Sequence, residues 1–561
     1  APLTSRRPGP PPARSGRWLF GPVPDLLLGC GGLYALIFAA SAIAGPLIRG
    51  QQAHFIFPLL VLLISYPHYG ATLLRVYEQR EERRGYALFA VHLTGVILAL
   101  FIAALYLPFV AILLVTVFLT WSPWHYTGQN YGLALLFLRR RGIDIDDTTK
   151  RWIYTSFITS FLLTFVVMHE ASGLSADNLL SIYRADAIRF WPLGIPAEWS
   201  RVAVIGLGSI YLLSLGAASR RLLRNTRAIE LLPAAALAGT QALWFLVPFV
   251  LRHAQVTTGV EPLDWDFRLH YFVWIALGHA IQYLWITSYY ARQSGKWPGL
   301  ARYYGKVSVS GIALWTLPLL LFASTFAGGP SFEAGLGILV ASAVNIHHFV
   351  LDGAIWKLRH NKIGRVLLRE NSAEPTAEYS GPRAWLPRRS LVWSVAAAGA
   401  AVAVAGFWLE EFTFPGALHR GDWVGAERSV DTLKWLGRDS AEKRRHLGRQ
   451  WVDAGDDSAA LAQLEASATL RPHPQSFTTI GQLRSRRNEW SQALEAFESA
   501  LSLAPDQPDI LRLARVAAHR TGNTARAKEL GARSSALGAE AQGSDGATSP
   551  SRDRNSSRNA P

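Results

Sequence analysis

Long apolar runs, separated by short polar and basic segments, occupy the first 410 positions of the chain. An apolar run of about 20 residues crosses the roughly 30 Å hydrocarbon core of a bilayer as an α-helix. The pattern therefore predicts eleven transmembrane helices, at 24–46, 54–75, 86–107, 108–138, 152–169, 202–219, 231–251, 269–290, 306–327, 334–356 and 390–409. Ten similar runs follow the first one, so we interpret that run as a span and not as a cleaved signal peptide.

The distribution of Lys and Arg between the predicted loops indicates the orientation of these helices. Loops on one side hold 29 of these residues and loops on the other side hold six, in strict alternation. Because cytoplasmic loops carry the excess of positive charge, we place the N-terminus in the cytoplasm. An odd number of spans then places the C-terminal region outside the cytoplasm, in the periplasm if the cell has one.

Composition narrows the class of protein further. Half of the 561 residues are hydrophobic and 17% are charged, which excludes a disordered chain for the bulk of the sequence. The net charge of +16 comes from basic residues dispersed between apolar runs, so we expect membrane lipids and no nucleic acid as partners. The single cysteine, Cys30, excludes a disulfide scaffold. We expect disorder only in the polar ends, at 1–17 and 542–561.

A sequence repeat follows the apolar region. The recurring residues are Gly448, Ala460 and Pro472, followed 33 positions later by Gly481, Ala493 and Pro505. A period of this length predicts a solenoid of helical hairpins. The turns within successive hairpins are predicted at Gly455, Asn488 and Gly522.

The segment 441–541 resembles the tetratricopeptide repeat family. Its best unit, 474–507, has residues typical of that family at Phe477, Ile480, Gly481, Ala493, Phe497, Ala500 and Pro505. The resemblance implies an α-solenoid that binds a protein or peptide, and it implies no catalytic chemistry. The predicted organisation is thus all-α, with a polytopic membrane bundle at 18–410, a linker at 411–440 and a short α-solenoid at 441–541.

Six histidines lie well inside the predicted spans: His68, His92, His125, His279, His347 and His348. Polar side chains at membrane depth are costly, so they usually face a bundle interior or a site. Their distances from the ends of the predicted spans place them in one layer, in the inner half of the bilayer. Neutral imidazole is a common ligand of iron, copper and zinc. The sequence therefore predicts a metal site formed by these histidines and Asp352.

Other polar residues accompany the predicted ligands at helical spacing. The groups are Asn345 with His348 and Asp352, Gln282 and Tyr283 with His279, and Gln129 with His125. Within each group the spacing places the side chains on one helical face. We expect the ligands to be oriented by Gln129, Gln282, Tyr283 and Asn345. The alternative is that each histidine only links two helices by a hydrogen bond, worth about 0.6 kcal/mol.

A second polar cluster falls near the outer ends of the predicted spans. Its members are His54, His169, Glu170, His253, Asp264, Asp266 and His270. Carboxylate and imidazole groups could bind a metal at this outer face. Polar residues are also ordinary at the ends of membrane helices, and we favour that interpretation.

Three functional classes remain open on the sequence alone. The first is an oxidoreductase that uses iron, copper or zinc within the membrane and acts on a lipid or another apolar molecule. The second is a haem or copper protein built on the same histidines. The third is a non-catalytic membrane scaffold or assembly factor that recruits partners through its repeats. The chain has no phosphate-binding glycine-rich loop and no His-Glu-x-x-His motif, which argues against nucleotide hydrolysis and zinc proteolysis.

Overall fold

The computed structural model divides the chain into two compact units, Ala1–Glu411 and Phe412–Pro561. It describes residues 17–48, 56, 58–77, 86–171, 188, 190–247, 267–293, 297–323, 327–328, 330, 332–356, 366–367 and 389–546. The disorder expected at 1–17 and 542–561 therefore falls almost entirely outside the described residues. Residues 542–546 are described, and they form the end of a helix.

The first unit is helical. Its long helices are, in chain order, α1 Gly32–Ile48, α2 Pro58–Tyr77, α3 Leu88–Tyr106, α4 Pro108–Arg140, α5 Asp147–Met168, α6 Ala197–Asn225, α7 Ala228–Phe245, α8 Phe267–Gln293, α9 Leu300–Leu321, α10 Gly337–Ile355 and α11 Arg389–Trp408. The described residues form helices, turns and an isolated bridge between Glu170 and Ile195, which confirms the all-α prediction.

Most of the predicted spans correspond to helices that suit a membrane. In the described part of the chain, nine helices are long and apolar enough to cross one. The number rises to ten if the bent pair Pro22–Gly29 and Gly32–Ala40, with an angle of 63°, is a single span. These helices are compatible with the predicted membrane localisation.

Helix α8 corresponds to a predicted span but is not one of the nine described helices that are apolar enough to cross a membrane. Its 27 residues give a length of about 40 Å, which is enough to cross a bilayer. Its hydropathy is lower because it carries His279, Gln282 and several hydroxyl side chains. His279, Gln282 and Tyr283, which were predicted to form or orient the metal site, are among the residues that make α8 less apolar. Its crossing of the membrane remains a prediction.

Helix α10 is the most buried of the candidate spans. In its most apolar stretch 78% of the residues are buried, against 17% in α6. It packs against α3, α4 and α9, and Leu339 shares an apolar core with Phe118 and Leu119 of α4. A polar side chain buried in such surroundings is costly unless it is hydrogen-bonded or paired. The polar side chains of α10 therefore need partners from the neighbouring helices.

Two glycines allow α2 to approach α9. A Cβ atom on Gly70 would overlap the carbonyl oxygen of Val307, and one on Gly311 would overlap that of Tyr66. The two backbones thus touch directly, as small residues permit between membrane helices. This contact fixes the position along the bundle of His68, which lies two residues before Gly70.

The second unit consists mainly of helical hairpins. Its helices are α12 Phe414–His419, α13 Trp423–Trp435, α14 Ala441–Asp453, α15 Asp457–Leu470, α16 Pro474–Arg486, α17 Trp490–Leu503, α18 Pro508–Arg520 and α19 Thr524–Gly546. The last six pair as α14–α15, α16–α17 and α18–α19. The first helices of these hairpins begin at Ala441, Pro474 and Pro508, offsets of 33 and 34 residues that agree with the predicted period.

The segment 411–440 is largely helical, whereas a linker was expected. Helix α13 begins 34 positions before α15, so it occupies the register of the second helix of a hairpin. Ala426 and Val430 of α13 are buried in one core with Leu447 of α14. The repeat pattern thus begins before residue 441. The sequence shows this helix weakly because its six apolar residues alternate with four charged and several other polar ones.

Residues with positive φ close each hairpin. Gly455, Asn488 and Gly522 have φ angles of 82°, 60° and 80°, at the predicted turns. Within the second hairpin, a Cβ atom on Gly481 of α16 would lie 2.5 Å from the ring of Phe497 of α17. Phe497 is 1% exposed. This pair of a small and a large residue therefore sets the distance between the two helices.

Replacing Gly481 with Ala should loosen the second hairpin, because the new methyl group has no space beside Phe497. We expect a cost of about 1–3 kcal/mol, the usual range for overpacking. Hydrogen–deuterium exchange of the full-length protein should show faster exchange in residues 474–503.

The matched control is Gly531→Ala in the last hairpin, where the nearest atom is 3.4 Å from the added Cβ. That is an ordinary contact distance, so this variant should gain about 0.4–1 kcal/mol from the lower entropy of the unfolded chain. Equal exchange in the two variants would contradict the packing argument.

Candidate metal centre

Four helices of the first unit bring imidazole rings together. His68 lies on α2, His125 on α4, His279 on α8 and His348 on α10. The ring centroids of His68 and His348 are 4.8 Å apart, as are those of His125 and His279. One ring nitrogen from each of His68, His279 and His348 lies within 4.8 Å of the others. We call these four residues the imidazole cluster.

The carboxylate of Asp352 lies beside the imidazole cluster, one turn after His348. Its Oδ2 is 3.5 Å from His348 Nε2 and 3.8 Å from His125 Nε2. Its Oδ1 accepts hydrogen bonds from the Tyr283 hydroxyl at 2.6 Å and from the Thr72 hydroxyl at 3.2 Å. Two donors thus hold Oδ1, while Oδ2 faces the imidazole rings.

Hydrogen bonds at Nδ1 fix the tautomers of two rings. Nδ1 of His68 contacts the backbone carbonyl of Ser65, which can only accept, so Nδ1 carries the proton. Nδ1 of His348 is 2.9 Å from Thr72 Oγ1. Because the Thr72 hydroxyl donates to Asp352, we assign the donor of this bond to Nδ1 of His348. In both rings Nε2 then keeps its lone pair, as in a metal ligand held by an outer hydrogen bond.

Several buried nitrogen atoms of the imidazole cluster have no hydrogen-bond partner among the described residues. They are Nε2 of His125, Nε2 of His348 and both ring nitrogens of His279. His279 is 1% exposed and His348 is 2% exposed. A buried polar atom without a partner costs about 1–3 kcal/mol. A bound ion would give a partner to one lone pair of each ring, so the donor set fits a metal.

Two amides predicted to orient the ligands link the helices around the cluster. Gln129 Nε2 donates to Gln282 Oε1 at 2.9 Å and to the backbone carbonyl of His279 at 3.3 Å, which joins α4 to α8. Asn345 Oδ1 accepts a 2.7 Å hydrogen bond from the Tyr69 hydroxyl, which joins α10 to α2. These hydrogen bonds fix the relative positions of the helices that carry the imidazole rings.

The structure does not bring His92 or His347 into the imidazole cluster. His347 immediately precedes His348, and adjacent helical residues point about 100° apart. Its Nε2 lies 3.1 Å from Thr94 Oγ1 and 3.3 Å from the Tyr77 hydroxyl. The side chain of His92 is exposed on α3. The residues that converge are therefore the imidazole cluster and the carboxylate beside it.

Two residues of the site, Thr72 and Trp356, are not among those predicted from the sequence. Thr72 follows His68 by four residues and Trp356 follows Asp352 by four, spacings that place each on the face of its neighbour. The Trp356 indole donates to the Tyr283 hydroxyl at 3.2 Å. The i,i+4 spacing from a predicted ligand to a hydroxyl or indole group is the sequence signal that marks both residues.

The outer polar cluster is described only in part. Both ring nitrogens of His169 are hydrogen-bonded, Nε2 with Thr120 Oγ1 at 3.1 Å and Nδ1 with the backbone N–H of Leu193 at 3.2 Å. Glu170 accepts from the Ser200 hydroxyl at 2.7 Å. These bonds give both residues a structural role. The members outside the described residues are His54, His253, Asp264 and Asp266, and the side chain of His270 is also not described.

Comparison with known proteins adds little to this geometry. No protein-family profile matches the chain, and no curated protein matches it. Among solved structures it is similar to one described as "Crystal structure of MamA", with 16% sequence identity and a TM-score of 0.21. The match covers 28% of this chain and 99% of that chain. A TM-score this low carries no argument, so the function is argued from the site itself.

Replacing Tyr283 with Phe should destabilise the first unit. The change removes the 2.6 Å hydrogen bond to Asp352 and the acceptor of the Trp356 indole. Leaving such buried groups unpaired costs about 1–3 kcal/mol. The midpoint of thermal unfolding of the full-length protein in detergent should fall accordingly.

The matched control is Tyr154→Phe, because Tyr154 is 46% exposed. Its effect should stay within about 0.5 kcal/mol, as for most surface substitutions. An unchanged midpoint for the Tyr283 variant would show that its hydroxyl does not stabilise the buried carboxylate.

Proposed function

We propose that the chain is an integral membrane metalloprotein that holds one ion of iron, copper or zinc in its first unit. The proposed ligands are His68, His279 and His348, with His125 and Asp352 beside them. The observation that carries the proposal is the convergence of buried imidazole nitrogens, several without a hydrogen-bond partner among the described residues. Imidazole donors suit these three metals better than they suit magnesium or calcium.

The spacing of the rings favours an ion over haem. Five of the six ring pairs within the imidazole cluster have centroids between 4.8 and 6.0 Å apart. Haem iron takes its axial ligands from the two faces of a flat macrocycle. His68 and His348 instead meet edge to face at 89°, which fills the space that a macrocycle needs. We therefore propose a single ion and treat haem as an outcome of the test.

Redox chemistry on an apolar or lipid substrate is the proposed activity of this centre. Iron or copper, when bound, would supply one-electron chemistry. The chain's own side chains exclude water, since the ring of Phe349 stacks on His125 at 4.4 Å within an apolar core. The Tyr283 hydroxyl keeps a proton 2.6 Å from Asp352, beside the imidazole cluster. Apolar surroundings of this kind favour an apolar molecule as substrate.

The second unit is proposed to bind a protein or peptide partner outside the cytoplasm, while membrane lipids surround the first unit. Stacked helical hairpins support this part of the proposal because they present an extended binding surface. A non-catalytic scaffold or assembly factor is the alternative function and shares this partner binding. The two functions differ in whether the imidazole cluster holds a metal.

The purified full-length protein should contain about one ion of iron, copper or zinc per chain, measured by elemental mass spectrometry. His348→Ala should abolish binding, because it removes a ligand that two of the possible donor groups share. Thr72→Val should weaken binding about 10–100-fold, the usual effect of losing a group that orients a ligand.

The matched controls are His347→Ala and His92→Ala, since each removes one imidazole that lies outside the cluster. Both variants should retain the ion. If the protein stays free of metal after reconstitution with each of the three ions, the metalloprotein proposal is wrong and the scaffold function remains. A Soret band in the optical spectrum would show that the site holds haem and not a single ion.

The proposed orientation can be tested with single cysteines. The native Cys30 is fully buried, so it should give little background labelling. In intact cells a membrane-impermeant maleimide should label Ser502→Cys, an exposed position of the second unit. It should label Asp144→Cys, in the loop after α4, only after the cells are opened. The opposite pattern would reverse the assignment of the two sides.

A further inference from the structure

The last hairpin of the second unit reverses a packing pair that the earlier hairpins share. The second hairpin places Gly481 opposite Phe497, and the first places a glycine opposite a leucine. At the corresponding positions, 34 residues later, the last hairpin has Arg515 and Gly531. A Cβ atom on Gly531 would lie 3.4 Å from Cδ of Arg515. The arginine side chain therefore crosses the space that an apolar side chain fills in the earlier hairpins.

A cavity of about 500 Å³ opens between α18 and α19 beside this exchange. Its lining residues are Arg515, Val516, His519, Arg520, Thr524, Ala527 and Lys528. Three of these side chains carry a permanent positive charge, and none of the seven is acidic. We call this cavity the basic groove.

The permanent charges of the basic groove lack the ion pairs that a neighbouring arginine makes. Arg526, just outside the groove, lies 2.8 Å from Glu498 and 2.6 Å from Glu529. Among the described residues, no ion pair involves the arginines or the lysine of the groove. Positive charges held together in a cleft attract anions and raise their local concentration. The groove therefore favours an anionic ligand.

We propose that the basic groove binds an acidic segment of another protein. Val516 is 45% exposed and the buried Ala527 lies at the base, so the groove offers apolar contact between its charges. A peptide carries carboxylates and apolar side chains on one chain, which a small inorganic anion does not. Complementary charge also speeds encounter with an acidic partner and selects against basic ones. The proposal deepens the partner binding proposed for the second unit and does not depend on a metal.

The test measures fluorescence anisotropy of a labelled peptide of alternating glutamate and alanine, titrated with the full-length protein in detergent. The acidic peptide should bind, and its affinity should fall as salt screens the charges. The double variant Arg515→Glu with Lys528→Glu should bind it at least about tenfold more weakly, because the groove's charge is reversed. Hydrogen exchange of the variant's second unit shows whether the hairpins remain folded.

The matched control is Arg428→Glu with Lys434→Glu, which makes the same charge change at exposed positions of α13. This control should bind the acidic peptide as tightly as the parent protein does. A peptide of alternating lysine and alanine should bind neither the parent protein nor the control. Equal affinity of the parent and the groove variant for the acidic peptide would overturn the proposal. Binding of phosphatidylglycerol or of single-stranded DNA at the groove, without binding of the peptide, would also overturn it. Metal content, measured on the same samples, reports separately on the imidazole cluster.

Discussion

The first unit depends on satisfying the polar side chains of its most buried helix. Asp352 and His348 lie within α10, where a polar group without a partner is costly. Thr72 of α2 and Tyr283 of α8 donate to the carboxylate, and His125 of α4 faces it. Each of these groups comes from a different helix, so one carboxylate specifies three neighbours. A shift of any of these helices along its axis breaks a contact, and the carboxylate therefore also sets the register of the bundle.

The part of the site that a single helix determines could be predicted from the sequence. His348 and Asp352 share a face through their spacing, and the structure keeps them 3.5 Å apart. The rotation of each helix could not be predicted in the same way. Helix α3 is apolar on nearly every side, so its pattern does not tell whether His92 points inward. The orientation of His347 depends on hydroxyl groups of α2 and α3, which only tertiary packing brings near.

The helices and the hairpins were predictable for different physical reasons. Apolar length belongs to a single segment, so it identifies most of the described helices of the first unit; α8 is harder because its polar site residues lower its hydropathy. The hairpins are marked by residues that tolerate positive φ, such as Gly455 and Asn488. Helix α13 occupies the same register, but it follows an apolar run and not a complete first helix of a hairpin. The start of the repeat was therefore not evident.

The imidazole cluster has a consequence for biogenesis. Thr72 and His348 are 2.9 Å apart in space but 276 positions apart in the chain. Chains are made from the N-terminus, so α2 is synthesised long before α10. During that interval the polar groups of α2 lack their final partners, at a cost that a temporary partner must offset. A chain that stops before α10 leaves these groups unsatisfied, which gives cellular quality control a physical basis for recognising an unfinished protein.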